Sequence, residues 1–394
     1  MKRAPWPWLL YAAALLLAPL LFDSGFARTL LAQMGIAIIA CLSYYLLLGQ
    51  GGMLSFGHAV YTGAGAYLAM HTLNLAAAHG WPLPVSLLPL AAGVGTALIA
   101  LPLGWLSTRK AGTPFAMITL GVGELAWAVA VMFPGVFGGE AGVSGNRVLG
   151  AAPWGISFGP AIQLYYLIAA YVLAATLLVH AFTRTTLGTL LNAVRDNPLR
   201  VGFLGYDTRT LRLIAFVVAA FLAGISGGLA ALQFEIVTPE VLGTTRSGAL
   251  LLFTFLGGTT LLAGPVVGGV LMVLALVWLS TLTPAWLLYM GLAFMAVVAF
   301  APDGVAGLAQ RAWRARGFSW RGAGRVLALL VMAAGLVLAV EMTYHRQLSA
   351  TLGDEWVRGP LRVDTAGATA WLVALLLGLA GAGLWRLLRG GCHG

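Results

Sequence analysis

Few side chains in this sequence are equipped for chemistry, and most of those few are set within long apolar runs. Glu124, in "ITLGVGELAWAV", is the one carboxylate placed squarely inside a run long enough to cross a bilayer. An ionisable group at that depth is a functional candidate by default. Two roles suit it: bonding an ammonium group in transit, or remaining protonated and bonding a neighbouring helix. Gly121, Gly123 and Thr119 beside it suit a crowded interhelical position in either role. The stretch "LSFGHAVYTGAGAYLAM" adds Ser55, His58, Tyr61 and Tyr67, with Gly63 and Gly65 permitting close helix approach. His58 has a plainer reading as a packing residue near a membrane end, satisfied by a backbone carbonyl. Ser55, His58, Tyr67 and Glu124 together are the candidate substrate path. Catalysis inside the membrane would need paired carboxylates, a His/Asp cluster or a nucleophile with its base. Only isolated candidates occur, so no enzyme and no metal site is expected.

A second concentration of polar residues is out of keeping with its surroundings. The chain of 394 residues is 60% hydrophobic and 9% charged, yet Arg184–Arg212 holds five arginines and two aspartates. Within it, "DNPLRVGFLG" carries the punctuation of a short helix. Asn197 suits the N-cap, Pro198 the first helical position, and Gly205 a left-handed stop. Leu199 and Phe203, with Leu204, fall on one side and Arg200 elsewhere. A short, stiff, partly apolar helix between two membrane spans is a docking element for a soluble partner. A basic loop obeying the positive-inside rule is the blander alternative.

These residues must be positioned by membrane helices. Apolar runs fall at 8–22, 29–49, 53–78, 84–106, 114–134, 160–182, 213–234, 284–301, 325–343 and 368–388, and residues 248–281 are free of charge. As a single helix that last run would be about 51 Å long against a hydrocarbon core of about 30 Å. It is read as two spans, with breaks offered by Gly257-Gly258 and Gly264-Pro265. The expectation is an all-α polytopic membrane protein, with ten core transmembrane helices and two accessory C-terminal ones. Continuous apolar runs exclude an outer-membrane barrel, whose strands alternate. With the N-terminus cytoplasmic, 16 of the 22 basic residues fall inside, so both termini and the 192–216 segment are placed in the cytoplasm. The net charge of +10 is thereby a matter of sidedness and not of nucleic acid. The basic start and small-residue ending at Ala27 also suit a cleavable signal peptide, but an uncleaved first helix is preferred. The expected organisation is a transmembrane domain over 1–305, a basic cytoplasmic linker over 306–324, and a two-helix extension over 325–394. Cys41 and Cys392 suggest no disulfide framework.

Energy for transport is not legible in the chain. Its two lysines, Lys2 and Lys110, lie in no phosphate-binding loop, and no proton or sodium relay is visible. The driving force is therefore expected from another chain. A stand-alone secondary carrier, suggested by twelve spans, is disfavoured by the scarcity of intramembrane charge.

Four stretches carry a family resemblance in a fixed order: "GQGGMLSFGHAVYTGAGAYLAM" (49–70), "FGGEAGVSG" (137–145), "AVRDNPLRVGFLGYDTRTLRLIAFVVAAFLAGISGGLAAL" (193–232) and "FLGGTTLLAGPVVGGVL" (255–271). Over roughly residues 30–305 the chain resembles LivM-type permeases, membrane subunits of ABC importers for branched-chain amino acids. The resemblance implies that Asp196, Asn197, Pro198, Leu199, Arg200, Phe203 and Gly205 form the helix that inserts into an ATP-binding subunit. Pro198 and Val201 depart from the family's usual acidic residue and alanine, which puts the neighbouring contacts in doubt. The resemblance further implies a second homologous permease, two cytoplasmic ATP-binding subunits and a periplasmic solute-binding protein as partners. ATP would be used by those subunits, this chain holding no cofactor, in a bacterial inner membrane. Leucine, isoleucine and valine are the implied cargo, with urea, short amides or other small organic solutes as alternatives. The glycine-rich stretch 134–148 would lie near the mouth that receives substrate; without the resemblance it reads as a flexible connector. Glu235 and Glu240 would face the binding protein, or simply be solvated.

Overall fold

A computed structural model describes residues 6–81, 84–149, 157–301, 303–314, 320–347, 355–358, 361–364 and 368–389. It is almost wholly helical, and every apolar run identified above contains a helix. In chain order these are α1 (Trp6–Leu21), α2 (Gly25–Tyr45), α3 (Ala59–His79), α4 (Leu88–Ser107), α5 (Thr113–Met132) and the one-turn α6 (Pro134–Phe137). Then come α7 (Ala161–Arg184), α8 (Thr186–Asp196), α9 (Pro198–Phe203), α10 (Thr208–Phe234), α11 (Thr244–Gly257), α12 (Ala263–Val273) and the short α13 (Ser280–Leu282). The last four are α14 (Trp286–Phe300), α15 (Gly304–Arg314), α16 (Trp320–Gln347) and α17 (Ala368–Arg389). Among the described residues six segments have the length and apolarity to cross a membrane unaided: Gly25–Gln50, Val85–Ser107, Thr113–Met132, Ala161–Arg184, Thr208–Phe234 and Ala263–Leu282. The protein is a multi-pass membrane protein.

The chain divides into two compact units. The first comprises residues 1–276 and 294–309. Its centre is α2 and α10, whose middles are almost fully buried; α10 packs on α3 and α4, and α2 on α7 and α12. Small residues make this possible. Gly224 of α10 stands with its backbone against Gly65 of α3, where a Cβ would lie 2.4 Å from a carbonyl oxygen. Between lipid-embedded helices, such dispersion contact replaces the hydrophobic driving force available in water. The outer faces of α4 and α5 expose Leu98, Trp105, Met117 and Leu125, as a lipid-facing surface requires.

Several expectations are refined. The run at 53–78 is helical only from Ala59, and residues 52–55 are irregular. α2 ends in a π-helical turn, Leu46–Gln50, which leads into that irregular segment. The charge-free run 248–281 does break after Gly257, whereas Gly264 and Pro265 sit in the first turn of α12. Helices α15 and the start of α16 occupy most of the expected linker 306–324. Glycine-rich 134–148 is not a featureless connector. It contributes β1 (Val143–Ser144), antiparallel to β2 (Ile236–Val237). Arg147 staples the two segments, donating to the carbonyls of Phe158 (2.9 Å), Leu232 (3.0 Å) and Gly159 (3.1 Å) and lying 3.7 Å from Glu235.

The second unit comprises residues 277–293 and 310–394. There α16 packs along α17. A hairpin absent from the sequence-based reading pairs β3 (Glu355–Arg358) with β4 (Leu361–Asp364), Glu355 opposite Asp364. Glu341 of α16, a buried carboxylate at the end of the 325–343 run, accepts hydrogen bonds from Thr283 Oγ1 and from the Tyr289 hydroxyl (2.9 Å).

Candidate functional site

The polar segment folds as its punctuation dictates. Asn197 Oδ1 accepts the Arg200 amide at 3.1 Å, Pro198 opens α9, and Gly205 has φ +85°, a conformation that glycine alone adopts without strain. Val201 is buried against Val194 and Leu211, which seats α9 on α8 and α10. That anchor leaves the other side free: Leu199 is 74% exposed, Phe203 88% and Leu204 72%. Asp196 pairs with Arg195 at 3.1 Å, and both are exposed with Arg200 around the apolar patch. On the far side, Asp207 caps α10, accepting from the Arg209 amide (3.0 Å), the Thr210 amide (3.3 Å) and Thr210 Oγ1 (2.5 Å). These donors, led by the Thr210 hydroxyl, hold its carboxyl below the usual range.

Two polar links join this element to the membrane core, and neither was singled out from the sequence. Asn192 of α8 donates to Gln50 Oε1 at 2.7 Å, and Gln50 Nε2 donates to the Tyr45 hydroxyl at 2.6 Å. Arg195 Nη1 also donates to the Gly49 carbonyl. Both reach the π-helical turn at the end of α2. The signal lay in "GQGG" and "NAVRDNP": a glutamine in an otherwise apolar run and an asparagine on the facing helix.

The candidate path residues do not converge on one space. Ser55 and His58 are completely buried, and Tyr67 nearly so. Ser43 Oγ donates to the Ala219 carbonyl (2.6 Å), so its contact with His58 Nε2 (2.8 Å) requires the ring to donate: the imidazole carries its proton on Nε2. The bond expected to a carbonyl thus goes to a hydroxyl that relays to one. Tyr67 donates to the Phe137 carbonyl at 3.2 Å. The irregular segment is clamped on three sides. The Phe56 amide donates to Thr119 of α5 (3.2 Å), the Ala59 amide to Ser247 of α11 (2.9 Å), and the Tyr44 hydroxyl of α2 to the Ser55 carbonyl (2.7 Å). Gly57 lies so close to α5 that no Cβ fits.

This clamp sets the spacing of α5 and α11, and Glu124 lies between them. Its Oε1 accepts from Thr244 Oγ1 at 3.0 Å, and the carboxylate lines a cavity of about 740 Å³. Glu240, Arg246, Thr238 and Thr245 supply further polar lining, with Trp127, Val241, Met272 and Leu276 as apolar wall. Arg246 was not singled out from the sequence. Its place three residues after Gly243, in the first turn of α11, was the available signal.

The comparisons with known proteins bear on most of the first unit. Residues 26–302 match the family described as the branched-chain amino acid transport system permease component. The chain belongs to that family. Two relatives are the high-affinity branched-chain amino acid transport system permease proteins LivM of Escherichia coli K12 and of Salmonella typhimurium LT2. Each is 28% identical over 246 residues, covering 57% of this chain and 55% of the relative. The chain thus spans about half the length of the curated relatives it matches. No solved structure matches. The family region contains both the capped helix α9 and the Glu124 cavity, and it ends before α15.

Proposed function

We propose that this permease is the membrane-spanning subunit of an ABC importer in a bacterial inner membrane. It moves branched-chain amino acids with energy from ATP hydrolysed on separate cytoplasmic subunits. The observation that carries the reading is α9: a capped, proline-started helix, seated by Val201, that holds Leu199, Phe203 and Leu204 out to solvent. An apolar patch of this kind on a polar segment is suited to a cleft in a partner protein. Binding of α9 there transmits nucleotide-driven movement through α8 to the end of α2, by way of Asn192–Gln50 and Arg195–Gly49. The chain supplies one side of a pathway completed by a second homologous permease, and a periplasmic binding protein delivers the solute. Both termini are cytoplasmic in this arrangement, as the distribution of basic residues favours.

The test is co-purification of ATP-binding subunits from cells expressing this chain with its genomic neighbours, using the native chain and Leu199→Ser/Phe203→Ser. Retention by the native chain and loss from the double variant is expected. Absence of any ATPase from the intact native complex overturns the proposal in favour of a secondary carrier.

A further inference from the structure

We infer that the end of α4, where Arg109 and Arg209 gather on the ring of Trp105, binds an anionic phospholipid. The lipid phosphate lies on the two guanidiniums and the acyl chains run along the apolar face of α4. The inference is independent of what the permease carries and of how transport is energised. Three observations carry it.

The first is positive charge concentrated on one indole. The guanidinium carbon of Arg109 lies 3.7 Å from the centroid of the Trp105 ring, and that of Arg209 lies 5.0 Å from it. The electron-rich ring orients both cations but neutralises neither. Neither arginine forms an ion pair among the described residues, and exposed Lys110 follows directly in the chain. Asp207 does not serve as their counter-ion. Its oxygens accept from the Arg209 and Thr210 amides and from the Thr210 hydroxyl.

The second is the supply of free donors. Gly104 packs so closely on α10 that an added Cβ would lie 2.6 Å from Phe216 Cδ1, which brings the end of α4 beside the start of α10. There the Ser107 and Thr108 hydroxyls cover the Leu103 and Gly104 carbonyls, at 2.8 and 2.7 Å. Arg209 Nη2 covers the Trp105 carbonyl at 3.3 Å. That bond fixes Arg209 and leaves its other N–H groups available, while the Arg109 side chain makes no hydrogen bond among the described residues. Planar guanidiniums with free donors match phosphate oxygens.

The third is the surface that continues from the cations. Leu98, Leu101, Trp105 and Arg109 recur at helical spacing, and all four are exposed. Aliphatic side chains, an amphipathic ring and then cations reproduce the order of acyl chain, interface and phosphate in a lipid leaflet. A soluble phosphate or an acidic peptide would use the cations and leave the leucine face uncovered. A phospholipid uses both.

The test is native mass spectrometry of the purified protein with its co-purifying subunits, titrated with dioleoyl phosphatidylglycerol or dioleoyl phosphatidylcholine. Phosphatidylglycerol is expected to bind more tightly. A basic residue at a membrane surface is worth about fivefold in affinity for anionic lipid, so Arg109→Gln should weaken phosphatidylglycerol about fivefold and Arg109→Gln/Arg209→Gln about twentyfold. Phosphatidylcholine binding should not change. Arg184→Gln, at an exposed basic residue of α7, should leave both lipids unaffected. Arg109→Lys/Arg209→Lys should restore part of the preference, which guards against a variant that merely misfolds. Inorganic phosphate and glycerophosphoglycerol, the headgroup without acyl chains, should not displace the lipid at equal concentration. Displacement by either would make this a site for a free anion and overturn the inference. Equal loss from Arg184→Gln would also overturn it, leaving only general attraction to basic charge. So would unchanged phosphatidylglycerol binding in the double Gln variant; loss of a co-purifying subunit in that case would assign the arginines to a protein contact.

Discussion

Replacing Gly57 with alanine tests the idea that the irregular segment before α3 sets the spacing of α5 and α11. A Cβ at Gly57 would lie 2.0 Å from the Thr119 carbonyl oxygen, 3.0 Å from its carbon and 3.3 Å from the Gly123 nitrogen. Close carbon–oxygen contacts in proteins are about 3.3–3.6 Å, so the oxygen must retreat by about 1.3 Å. All three atoms belong to the α5 backbone, which cannot escape by changing rotamer. Overpacking costs about 1–3 kcal/mol where side chains can adjust, and a backbone clash belongs at the upper end. Movement of α5 also strains the Phe56–Thr119 bond, and movement of the segment strains Ala59–Ser247, each worth about 1 kcal/mol. A loss of about 3 kcal/mol or more is expected. Gly121→Ala on the same helix is the control. Nothing lies within 4 Å of its added Cβ, and alanine in a helix gains about 0.5–1 kcal/mol over glycine. Cys41, a buried free thiol in α2, reports unfolding through reaction with a thiol-specific dye in a Cys392→Ser background. Gly57→Ala should expose the thiol at lower temperature. Gly121→Ala should not. Equal unfolding midpoints for Gly57→Ala and the native chain, or equal damage from both substitutions, refutes the reasoning.

Other perturbations probe the docking element. Asn192→Leu strands Gln50 Oε1 in a buried position and should cost about 1–3 kcal/mol, whereas Gln50→Leu/Asn192→Leu should cost less than the two single changes summed; additive losses in the dye assay would show that the two do not interact. Asn197→Ala removes the α9 cap, worth about 1 kcal/mol, so amides of residues 198–204 should exchange faster and ATPase retention should fall, with Asn197→Asp restoring both. Unchanged exchange would mean that Val201 alone holds the helix. Asp207 has a folded-state pKa below its unfolded value of about 3.9. Its contribution is therefore complete above that unfolded value and is lost as pH falls through the lower folded one. Amides at the start of α10 should lose protection, after correction for intrinsic rates, only below about pH 4. Asp207→Asn should abolish that dependence, and an identical profile in the variant would remove Asp207 as the cause.

How much of the site was legible depended on whether the signal was local. Asn197, Pro198 and Gly205 announce α9 because capping, a fixed φ and a positive φ are properties of one or two residues and the backbone they occupy. The break after Gly257 was legible from the limit on span length. The role of His58 was not, since the ring is satisfied through Ser43 on α2, and that hydroxyl in turn by Ala219 on α10. No sequence spacing encodes a contact across three helices. For the same reason, Ser55, His58 and Tyr67 share a motif and an apolar run, yet none of them lines the cavity that Glu124 lines.

The sequence by itself determined that this protein is built of membrane helices, which runs form them, and where a polar helix interrupts them. Hydropathy, span length and terminal capping act locally, and the bilayer leaves lipid-facing backbone in those runs no alternative to helix. Only the tertiary structure decided what the charged residues face. Glu124 and Arg246 lie 122 positions apart and line one cavity between α5 and α11, which residues 56–59 bridge. Gln50 and Asn192 lie 142 apart and meet where α8 contacts the π-helical turn at the end of α2. Helix formation is settled over a few turns of chain, whereas a binding site is settled by the packing of helices whose contacts are spread through the whole sequence.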